Sequence, residues 1–466
     1  MMPRPRTLLF VDGLWVEKFG IMSLIPHLEK EGWKVHLLLT RNTGRMVREI
    51  RRLKPEWLAF SVTTGYHHKA LQMAGDAKQA FPRLKTIFGG PHVTYFPEIA
   101  NHPAVDAAVR GECDREFPDI IDGLRNDSPL ETLPNLVRPG SPPTCNPLAN
   151  LESDLDSLPL PDRDHYYRYP LFSNSPYKAF MVSRGCPYDC AFCFNHKLRT
   201  MYRGKGRFLR LRSPESVVEE GLRVKRRWGM KLASFEDDLL TYDIDWLTRF
   251  VTAGKARVDV PYNLNATARD LTDPSLVRLL KETGAWCVAF GIETGDEKLR
   301  RKVLHKPLTD DDIRRAAGLL NENKLLFHTY NMFGLPGEGV PEALKTIRLN
   351  REIGTTLARY TLFQPYPGTT LGDLVAGPSG TSEMLFSNSP RQGVEARRIE
   401  KLQKFAMLGF RSRAGEHLGL IASHLPYTPL HTAVFWATYF NVVRRYMKTG
   451  YRHLLELGFR SMTDVL

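Results

Sequence analysis

Three closely spaced cysteines are the residues of this chain best suited to chemistry. Cys186, Cys190 and Cys193 form a C-x3-C-x2-C pattern directly after the apolar residues 179–182. Thiolate sulfur is a soft ligand that suits iron and zinc. The other cysteines lie far away in sequence: Cys113, Cys145 and Cys287. Three thiolates therefore predict an iron–sulfur cluster with one iron left open. A zinc site completed by His196 is the alternative that this spacing leaves open.

The elements that must position these cysteines begin with an alternation of strands and helices over the first 125 residues. Apolar runs predict strands at residues 7–11, 34–39, 57–62, 86–88 and 107–109. Segments with helical periodicity lie between them, such as residues 21–30. The alternation predicts a doubly wound, Rossmann-like parallel sheet. Its ligands would bind outside the carboxyl ends of the strands, where this sequence is rich in glycine and hydroxyl side chains. The alternative is that these segments are only the turns that any parallel sheet needs, because ordinary turns have a similar composition.

A second alternation follows the cysteines' own strand, over residues 176–370. Strands are predicted at residues 178–183, 232–235, 262–265, 286–292, 327–333 and 360–363, with amphipathic helices between them. Six such units predict a partial (β/α)6 barrel that is open on one side. Functional residues should lie at the carboxyl ends of its strands. Polar or glycine-rich segments do follow these strands: residues 236–238, 291–295 and 331–338.

These segments, in this order, resemble the motifs of radical SAM enzymes. The resemblance implies that Cys186, Cys190 and Cys193 hold a [4Fe–4S] cluster and that the fourth iron binds S-adenosylmethionine (SAM). Reductive cleavage of SAM would then give methionine and a 5′-deoxyadenosyl radical. The resemblance also implies a set of SAM contacts, with the carboxylates near the methionine and ribose groups and the others near the adenine: Phe192, Glu236, Asp237, Asp238, Glu293, Asn331, Gly334 and Pro336.

The first domain resembles the cobalamin-binding domain that precedes many radical SAM barrels. The resemblance implies these cobalamin contacts: Asp12, Gly20, Ser61, Thr63, Thr64, Gly89, Gly90, His92, Gly111 and Glu112. The D-x-H-x-x-G signature is absent, because Leu14 and Glu17 occupy its histidine and glycine positions. We therefore expect base-off cobalamin without the usual lower histidine. Ligation of cobalt by His67 or His68 is the alternative.

The remaining segments are a connector and a basic C-terminal region. Residues 126–175 are rich in proline, serine and aspartate and predict an extended linker. Residues 371–466 predict a loop and then a mainly helical region. From Arg391 onward, twelve Lys and Arg face five Asp and Glu, which is +7 of the total net charge of +14. The aromatic residues 418–440, broken by prolines, predict either a helical cap over the active site or an interfacial surface for a hydrophobic substrate.

The combined resemblance implies a cobalamin-dependent radical SAM enzyme that methylates an unactivated carbon. An oxidative cyclase or rearrangement enzyme with the same cofactors, and a non-catalytic cobalamin sensor, are the alternatives. The substrate would be a small and, by the aromatic C-terminal region, hydrophobic molecule, and the reductant a flavodoxin or ferredoxin. Peripheral membrane contact fits the basic charge, whereas no nucleic-acid module is present. Few cysteines and no signal-peptide pattern predict a cytoplasmic location.

Overall fold

A computed structural model describes residues 6–13, 16–366, 368–376, 393–447 and 450. These residues form two compact units. The first contains the described residues up to Asn174 together with Tyr202–Arg207, and the second contains Ser175–Met201 and the described residues from Phe208 onward. Leu14 and much of the predicted loop, at 377–392, lie outside the described residues, as do residues 451–466.

The first unit is built on a seven-stranded sheet of order β2-β1-β3-β4-β5-β6-β7. Its first five strands are parallel to one another. They are β1 Thr7–Asp12, β2 Lys34–Leu39, β3 Trp57–Ser61, β4 Lys85–Gly89 and β5 Ala107–Val109. All six residues of β1 are buried, as expected for the central strand of a sheet with helices on both faces. The prediction of an α/β fold with a parallel N-terminal sheet is confirmed.

The helices of the first unit connect these strands and follow the sheet. They are α1 Phe19–Lys30, α2 Thr43–Leu53, α3 Tyr66–Ala80, α4 Pro91–Tyr95, α5 Glu116–Arg125, α6 Asp164–Tyr167 and α7 Pro170–Ser173. The apolar side of α3, with Ala70 and Met73 both 0% exposed, packs with Leu9 and Phe60 of the sheet. Burial of these apolar stripes stabilises the unit.

The predicted linker contains two strands that its composition concealed. β6 Leu136–Arg138 pairs antiparallel with β5, and β7 Thr144–Cys145 pairs antiparallel with β6. Leu136 and Val137 are each 2% exposed. Part of the predicted linker therefore belongs to the sheet of the first unit, because two apolar residues are enough to extend an existing sheet edge. Prolines flank the segment and hid the short strands from pattern analysis.

The second unit contains a six-stranded parallel sheet of order β15-β14-β13-β12-β11-β8. The strands are β8 Tyr177–Phe180, β11 Leu232–Phe235, β12 Tyr262–Ala266, β13 Ala285–Glu293, β14 Leu326–Phe333 and β15 Leu357–Leu362. A separate antiparallel pair joins β9 Ser183–Arg184 to β10 Arg210–Leu211. The predicted strand at 178–183 is thus two strands. The predicted half-barrel arrangement is confirmed.

Helices alternate with the strands of this second sheet. They are α8 Asn195–Met201, α9 Pro214–Trp228, α10 Ile244–Thr252, α11 Lys255–Val258, α12 Pro274–Glu282, α13 Glu297–Lys302, α14 Asp310–Glu322 and α15 Val340–Glu352. Short polar caps set several helix starts. The Asp243 side chain accepts from the backbone N–H of Trp246 at the start of α10, and Thr309 and Asp312 form a capping box at α14.

The described C-terminal region is helical, as predicted. It contains α16 Thr370–Ala376, α17 Val394–Gly409, α18 Arg413–His424 and α19 Pro429–Tyr446. Ile399 and Leu402 of α17 are fully buried and pack with Leu357 of β15. Helix α17 is therefore part of the core of the second unit. Among the described residues, no helix combines the length and apolar character needed to cross a membrane.

Candidate functional site

The cysteine motif lies at a cavity of about 520 Å³ at the carboxyl ends of the second sheet. All three motif cysteines line this cavity, together with Glu236, which follows β11, and Glu293, which ends β13. Parallel strands bring their carboxyl ends to the same edge of a sheet, and so residues more than 100 positions apart meet here. We call this space the cluster cavity.

The three thiols fit an iron–sulfur cluster better than a single metal ion. Among the described residues, no three His, Cys, Asp or Glu side chains converge on one ion position. The His196 ring lies near the Thr370 hydroxyl, with 3.3 Å between Nε2 and Oγ1, and does not line the cluster cavity. A four-iron cluster takes one thiolate per iron, so its sulfur ligands need not converge on one point. Three soft donors without a fourth therefore fit a cluster with one open iron.

Burial raises the pKa of each motif thiol. It raises the pKa of Cys193 to about 11, and the pKa values of Cys186 and Cys190 are raised by the same cause. Lys306 opposes this effect at Cys190, where its positive charge lowers the thiol pKa. The thiols would therefore release protons when they bind iron, and Lys306 would favour the thiolate state.

Asp237 fixes the chain just before the cysteine motif. Its side chain is 1% exposed. Oδ1 accepts from the backbone N–H of Val182 at 2.9 Å, from the Ser183 hydroxyl at 2.6 Å and from the Ser183 backbone N–H. These bonds end β8, which explains why the predicted single strand is two strands. Burial raises the pKa of Asp237 to about 7. Asp237 thus acts as an acceptor that holds the start of the cysteine loop.

The two carboxylates beside Asp237 are accessible. Glu236 and Asp238 are exposed and line the cluster cavity. The Tyr177 hydroxyl donates to Glu236 Oε1 at 2.5 Å, which holds the Glu236 carboxylate in place. Asp238 and the neighbouring Asn195 can both hydrogen-bond a polar ligand. Their position is compatible with the predicted contact to the SAM amino group, which stays a prediction.

Glu293 stands at the end of β13 in a conformation that few residues adopt. Its φ is +66°, in the left-handed region, and the pairing of β13 with β14 shifts its register at this point. The carboxylate is fixed by Lys306, with 2.9 Å between Nζ and Oε1. Strained backbone of this kind is often found at functional sites. The Lys306–Glu293 pair presents a charged, oriented group to the cluster cavity.

Four predicted SAM contacts do not line the cluster cavity. The Asn331 side chain is 1% exposed and donates to the carbonyl oxygens of Thr329 and Arg359. Gly334 belongs to a turn whose backbone N–H donates to Glu338, and Pro336 lies in the same turn. The ring of Phe192 lines a different cavity, described below. The roles of these residues stay predictions, and the geometry offers Asn331 no free side-chain donor toward the cavity.

Several residues of the cluster cavity were missed by the sequence interpretation: Tyr188, Asn195, Asn265, Arg269, His305, Lys306 and Tyr330. Asn265 could have been found, because it is a polar residue at the predicted end of a barrel strand. Its amide donates to the Asp237 carbonyl at 2.8 Å, and its Oδ1 accepts from the Tyr330 hydroxyl at 3.1 Å. Lys306 lies in a loop between two helices and matches no motif, so only the folded chain reveals it.

The strand ends of the first unit are joined by a lysine that the sequence interpretation also missed. Lys18 Nζ lies 2.8 Å from Asp12 Oδ1 at the end of β1 and donates to the Ser61 carbonyl at the end of β3. The Asp12 side chain is 0% exposed. The Asp12–Lys18 pair therefore holds the adjoining loops together. Gly20 has open space beside its Cα, since no atom lies within 4 Å of the position of an added Cβ. The predicted cobalamin contact of Asp12 stays a prediction.

The ends of β3 and β4 carry a stack of histidine rings. The His67 ring centroid lies 3.6 Å from that of His92 and 3.8 Å from that of His68. Nδ1 of His92 is 3.1 Å from the Thr64 hydroxyl, and Nδ1 of His67 accepts from the Gly65 backbone N–H at 3.1 Å. Burial lowers the pKa of His92 to about 3 and that of His67 to about 4. The His67 and His92 rings are therefore neutral at pH 7 and present their remaining nitrogens near the strand ends.

The glycines at these strand ends allow close backbone packing. Gly90 has a φ of +91°, and a Cβ there would lie 2.8 Å from Ser61 Oγ. Gly111 has a φ of +75°, and its neighbour Glu112 donates its backbone N–H to the Tyr202 hydroxyl at 2.6 Å. Three largely half-buried loops, at residues 61–65, 89–91 and 110–112, thus lie at one edge of the sheet, and Thr63 and Thr64 are among their residues. This donor set fits a large cofactor with many amide groups.

The comparisons with protein families agree with both units. Residues 6–121 match the family described as the B12 binding domain, and residues 180–349 match the radical SAM superfamily. The two regions contain the strand ends of the first unit and the cluster cavity of the second. The linker and C-terminal boundaries expected from the sequence stay predictions.

Curated relatives are similar to most of the chain. An uncharacterized methyltransferase of Pyrococcus horikoshii is 28% identical over 338 residues, which cover 69% of this chain and 70% of that protein. The cytidylyl-2-hydroxyethylphosphonate methyltransferase of Streptomyces wedmorensis is 28% identical, covering 67% of this chain and 65% of that protein. The anaerobic magnesium-protoporphyrin IX monomethyl ester cyclase of Rubrivivax gelatinosus is 24% identical, and the match covers 70% of this chain and 59% of that protein. The chain thus spans about two thirds of the length of these relatives.

A solved structure shares the fold. The radical SAM methyltransferase TsrM from Kitasatospora setae, with cobalamin and a [4Fe–4S] cluster bound, has a TM-score of 0.65 and is 17% identical. The match covers 80% of this chain and 75% of that one. The site chemistry and the two family matches together lead to one conclusion: the chain combines a B12-binding domain with a radical SAM domain, the two domains of a cobalamin-dependent radical SAM enzyme.

Proposed function

We propose that the protein is a C-methyltransferase that methylates an unactivated carbon of a small molecule. The observation that carries the proposal is the cluster cavity, where three thiols and oriented carboxylates meet in a chain that also has a B12-binding domain. When bound, the cluster and SAM supply a hydrogen-abstracting 5′-deoxyadenosyl radical, and cobalamin supplies the methyl group. The protein's contribution is to bind and orient these groups.

The residues of the cluster cavity divide this work. The three motif cysteines would hold three irons of the cluster, and Asp237 holds the start of their loop. Glu236 and Asp238, which line the cavity, would accept from the SAM amino group, and Glu293, held by Lys306, would accept from a ribose hydroxyl. In the first unit, the backbone at Gly90 and Gly111 and the hydroxyls of Thr63 and Thr64 would hold cobalamin.

The proposal extends to the reductant and the setting of the enzyme. None of the six cysteines, all of which lie among the described residues, forms a disulfide, which fits a reducing cytoplasm and a flavodoxin or ferredoxin as electron donor. Leu418 and Ile421 of α18, and Leu425 directly after it, are more than half exposed, which supports peripheral contact with a membrane or an apolar substrate source. No nucleic-acid partner is proposed.

Incubation with methyl-labelled SAM tests the proposed reaction. The reduced, reconstituted protein should transfer the label to a product when it is given its substrate. The functions encoded by neighbouring genes would indicate which substrates to try. A product formed without label, while SAM is still cleaved, would contradict methylation.

An oxidative cyclase is the second candidate. The observation that favours it is the similarity over 70% of the chain to the Rubrivivax gelatinosus cyclase. A cyclase would yield 5′-deoxyadenosine and an oxidised, unlabelled product. The same labelling experiment therefore separates the two reactions. A non-catalytic sensor would cleave no SAM, and the motif thiols and cavity carboxylates argue against it.

A further inference from the structure

A second and larger cavity lies in the same unit, between β15 and the helices α17 and α19. Its volume is about 1110 Å³. We call it the C-terminal cavity. Phe192 of the cysteine loop lines it, whereas the adjacent Cys193 lines the cluster cavity. Consecutive residues of the cysteine loop thus line the two cavities.

The strands show the same continuity. On β14, Tyr330 lines the cluster cavity and Met332 lines the C-terminal cavity. Residues two apart on a strand share a face of the sheet. Tyr330 pairs with Arg359 of β15, and Met332 pairs with Thr361. One face of the sheet thus runs from the cluster cavity into the C-terminal cavity, so a molecule bound in the second can extend toward the first.

One wall of the C-terminal cavity is cationic. Arg359, Arg397, Lys401 and Lys404 line it against one carboxylate, that of Glu400. The Arg359 side chain is exposed, and among the described residues its guanidinium makes no hydrogen bond or ion pair. A guanidinium is a planar fork of donors that matches the two oxygens of a carboxylate or phosphate. An open guanidinium on the inner face of a barrel strand is therefore suited to an anionic ligand.

The opposite wall is aromatic. Phe435, Trp436 and Tyr439 of α19 line the cavity, and the rings of Phe435 and Tyr439 are stacked with centroids 5.7 Å apart. The Lys404 ammonium lies 5.1 Å from the centre of the Phe435 ring, which places a cation at the border of the two walls. Aromatic walls bind flat or extended apolar groups through buried area.

We propose that the C-terminal cavity binds the substrate, and that this substrate joins an apolar body to an anionic group. Arg359, with Lys404 of the same cavity, would bind the anion, a phosphate, phosphonate or carboxylate, and the α19 rings would bind the apolar body. The inference rests on the proposed function, because it concerns the molecule that this enzyme modifies. It narrows the substrate class from hydrophobic to amphiphilic and anionic.

Binding of three matched probes tests this inference. The reconstituted full-length protein, loaded with cobalamin and SAM, is titrated calorimetrically with 1-naphthyl phosphate, 1-naphthoate and uncharged 1-naphthol. At least one anion should bind about tenfold tighter than the naphthol, as expected for charge-assisted hydrogen bonds. The tighter of the two anions identifies phosphate or carboxylate as the preferred group.

Variants assign the effect to Arg359. Arg359→Gln should weaken the tighter anion about tenfold or more and leave naphthol binding unchanged, and Arg359→Lys should lose less. Arg249→Gln is the matched control, since Arg249 is an exposed arginine of α10 outside the cavity. Trp436→Ala should weaken all three probes alike. The affinity for SAM should be the same in Arg359→Gln as in the unchanged protein, because Arg359 would contact the substrate and not the cofactor.

Three results would overturn the inference: no binding of either anion, equal affinity for all three probes, or anion binding by Arg359→Gln equal to that of the unchanged protein. Weaker SAM binding in Arg359→Gln would also overturn it, because Arg359 would then serve the cofactor. Failure of the proposed function looks different. In that case the unchanged protein would not cleave SAM, while the probe affinities would still report on the cavity.

Discussion

Removal of the Asp237 side chain tests how the cysteine loop is held. In Asp237→Ala, the backbone N–H groups of Val182 and Ser183 lose their common acceptor inside a buried site. A buried donor left without a partner costs about 1–3 kcal/mol. The Ser183 hydroxyl can rotate to another acceptor and is left out of the sum. Two such donors give a loss of about 4 kcal/mol in the free energy of unfolding.

The isosteric variant Asp237→Asn separates the effect of the side chain's shape on stability from the effect of its charge. Because burial raises the pKa of Asp237 to about 7, the neutral form is already accessible at neutral pH. Asp237→Asn keeps an oxygen acceptor for both N–H groups, but its amide N–H groups replace Oδ2, which has no hydrogen-bond partner among the described residues. We expect a loss of about 1–2 kcal/mol for this variant.

Two measurements check these magnitudes. A loss of about 4 kcal/mol should lower the melting temperature of the second unit by about 10 °C in the apo protein. Iron bound per chain after anaerobic reconstitution should fall in the order unchanged protein, Asp237→Asn, Asp237→Ala. Glu219→Ala on the exposed side of α9 is the control. If Asp237→Ala melts and binds iron like the control, Asp237 does not hold the cysteine loop.

Three further predictions concern the cofactors and pH. Replacement of any motif cysteine by alanine should abolish reductive SAM cleavage, whereas Cys287→Ala should still assemble a cluster, because Cys287 is fully buried among apolar residues away from the cavity; a cluster spectrum in the triple motif variant would refute the ligand assignment. Cobalamin should bind about one to one in the base-off form, and nitrogen superhyperfine splitting in the electron paramagnetic resonance of its cob(II) state, lost in His67→Ala, would instead establish histidine ligation. The pKa of His92 is about 3 in the folded chain, against an ordinary value of 6.5. Below pH 6.5 the unfolded chain therefore binds a proton that the folded chain does not bind. The contribution of His92 to the free energy of unfolding is complete above pH 6.5 and is lost as the pH drops toward 3. Between pH 7.5 and pH 5 this costs the first unit about 2 kcal/mol, and His92→Gln should lose that much less in urea unfolding; an equal loss in both proteins would refute the assignment.

Local pattern was enough to predict the scaffold. The bounds of β2 and β11 in the structure are those that the sequence predicted, because each is a short apolar run between polar turns. The order of strands and helices then fixed both parallel sheets. The same rule placed the cysteines, Glu236 and Glu293 at one edge, since the carboxyl ends of parallel strands converge there.

Contacts between distant residues could not be predicted in this way. The break between β8 and β9 depends on Asp237, more than 50 residues away. No sequence motif surrounds Lys306 or Arg359. Only the folded chain shows that Lys306 pairs with Glu293 and that Arg359 lines the C-terminal cavity. For Asn331 the SAM contact expected from the sequence stays a prediction. It lies in a segment of the expected type, but strand alternation directs it away from the face that carries Tyr330 and Met332.

Methyl-labelled SAM provides the most direct test of the central claim that one chain combines radical SAM and cobalamin chemistry. Reconstituted, cobalamin-loaded protein is reduced anaerobically with labelled SAM, and the bound cobalamin and the small products are separated. We expect labelled cobalamin together with 5′-deoxyadenosine from the unchanged protein. We expect the triple motif-cysteine variant to form no 5′-deoxyadenosine. Unlabelled cobalamin and no 5′-deoxyadenosine from protein that holds both cofactors would contradict it.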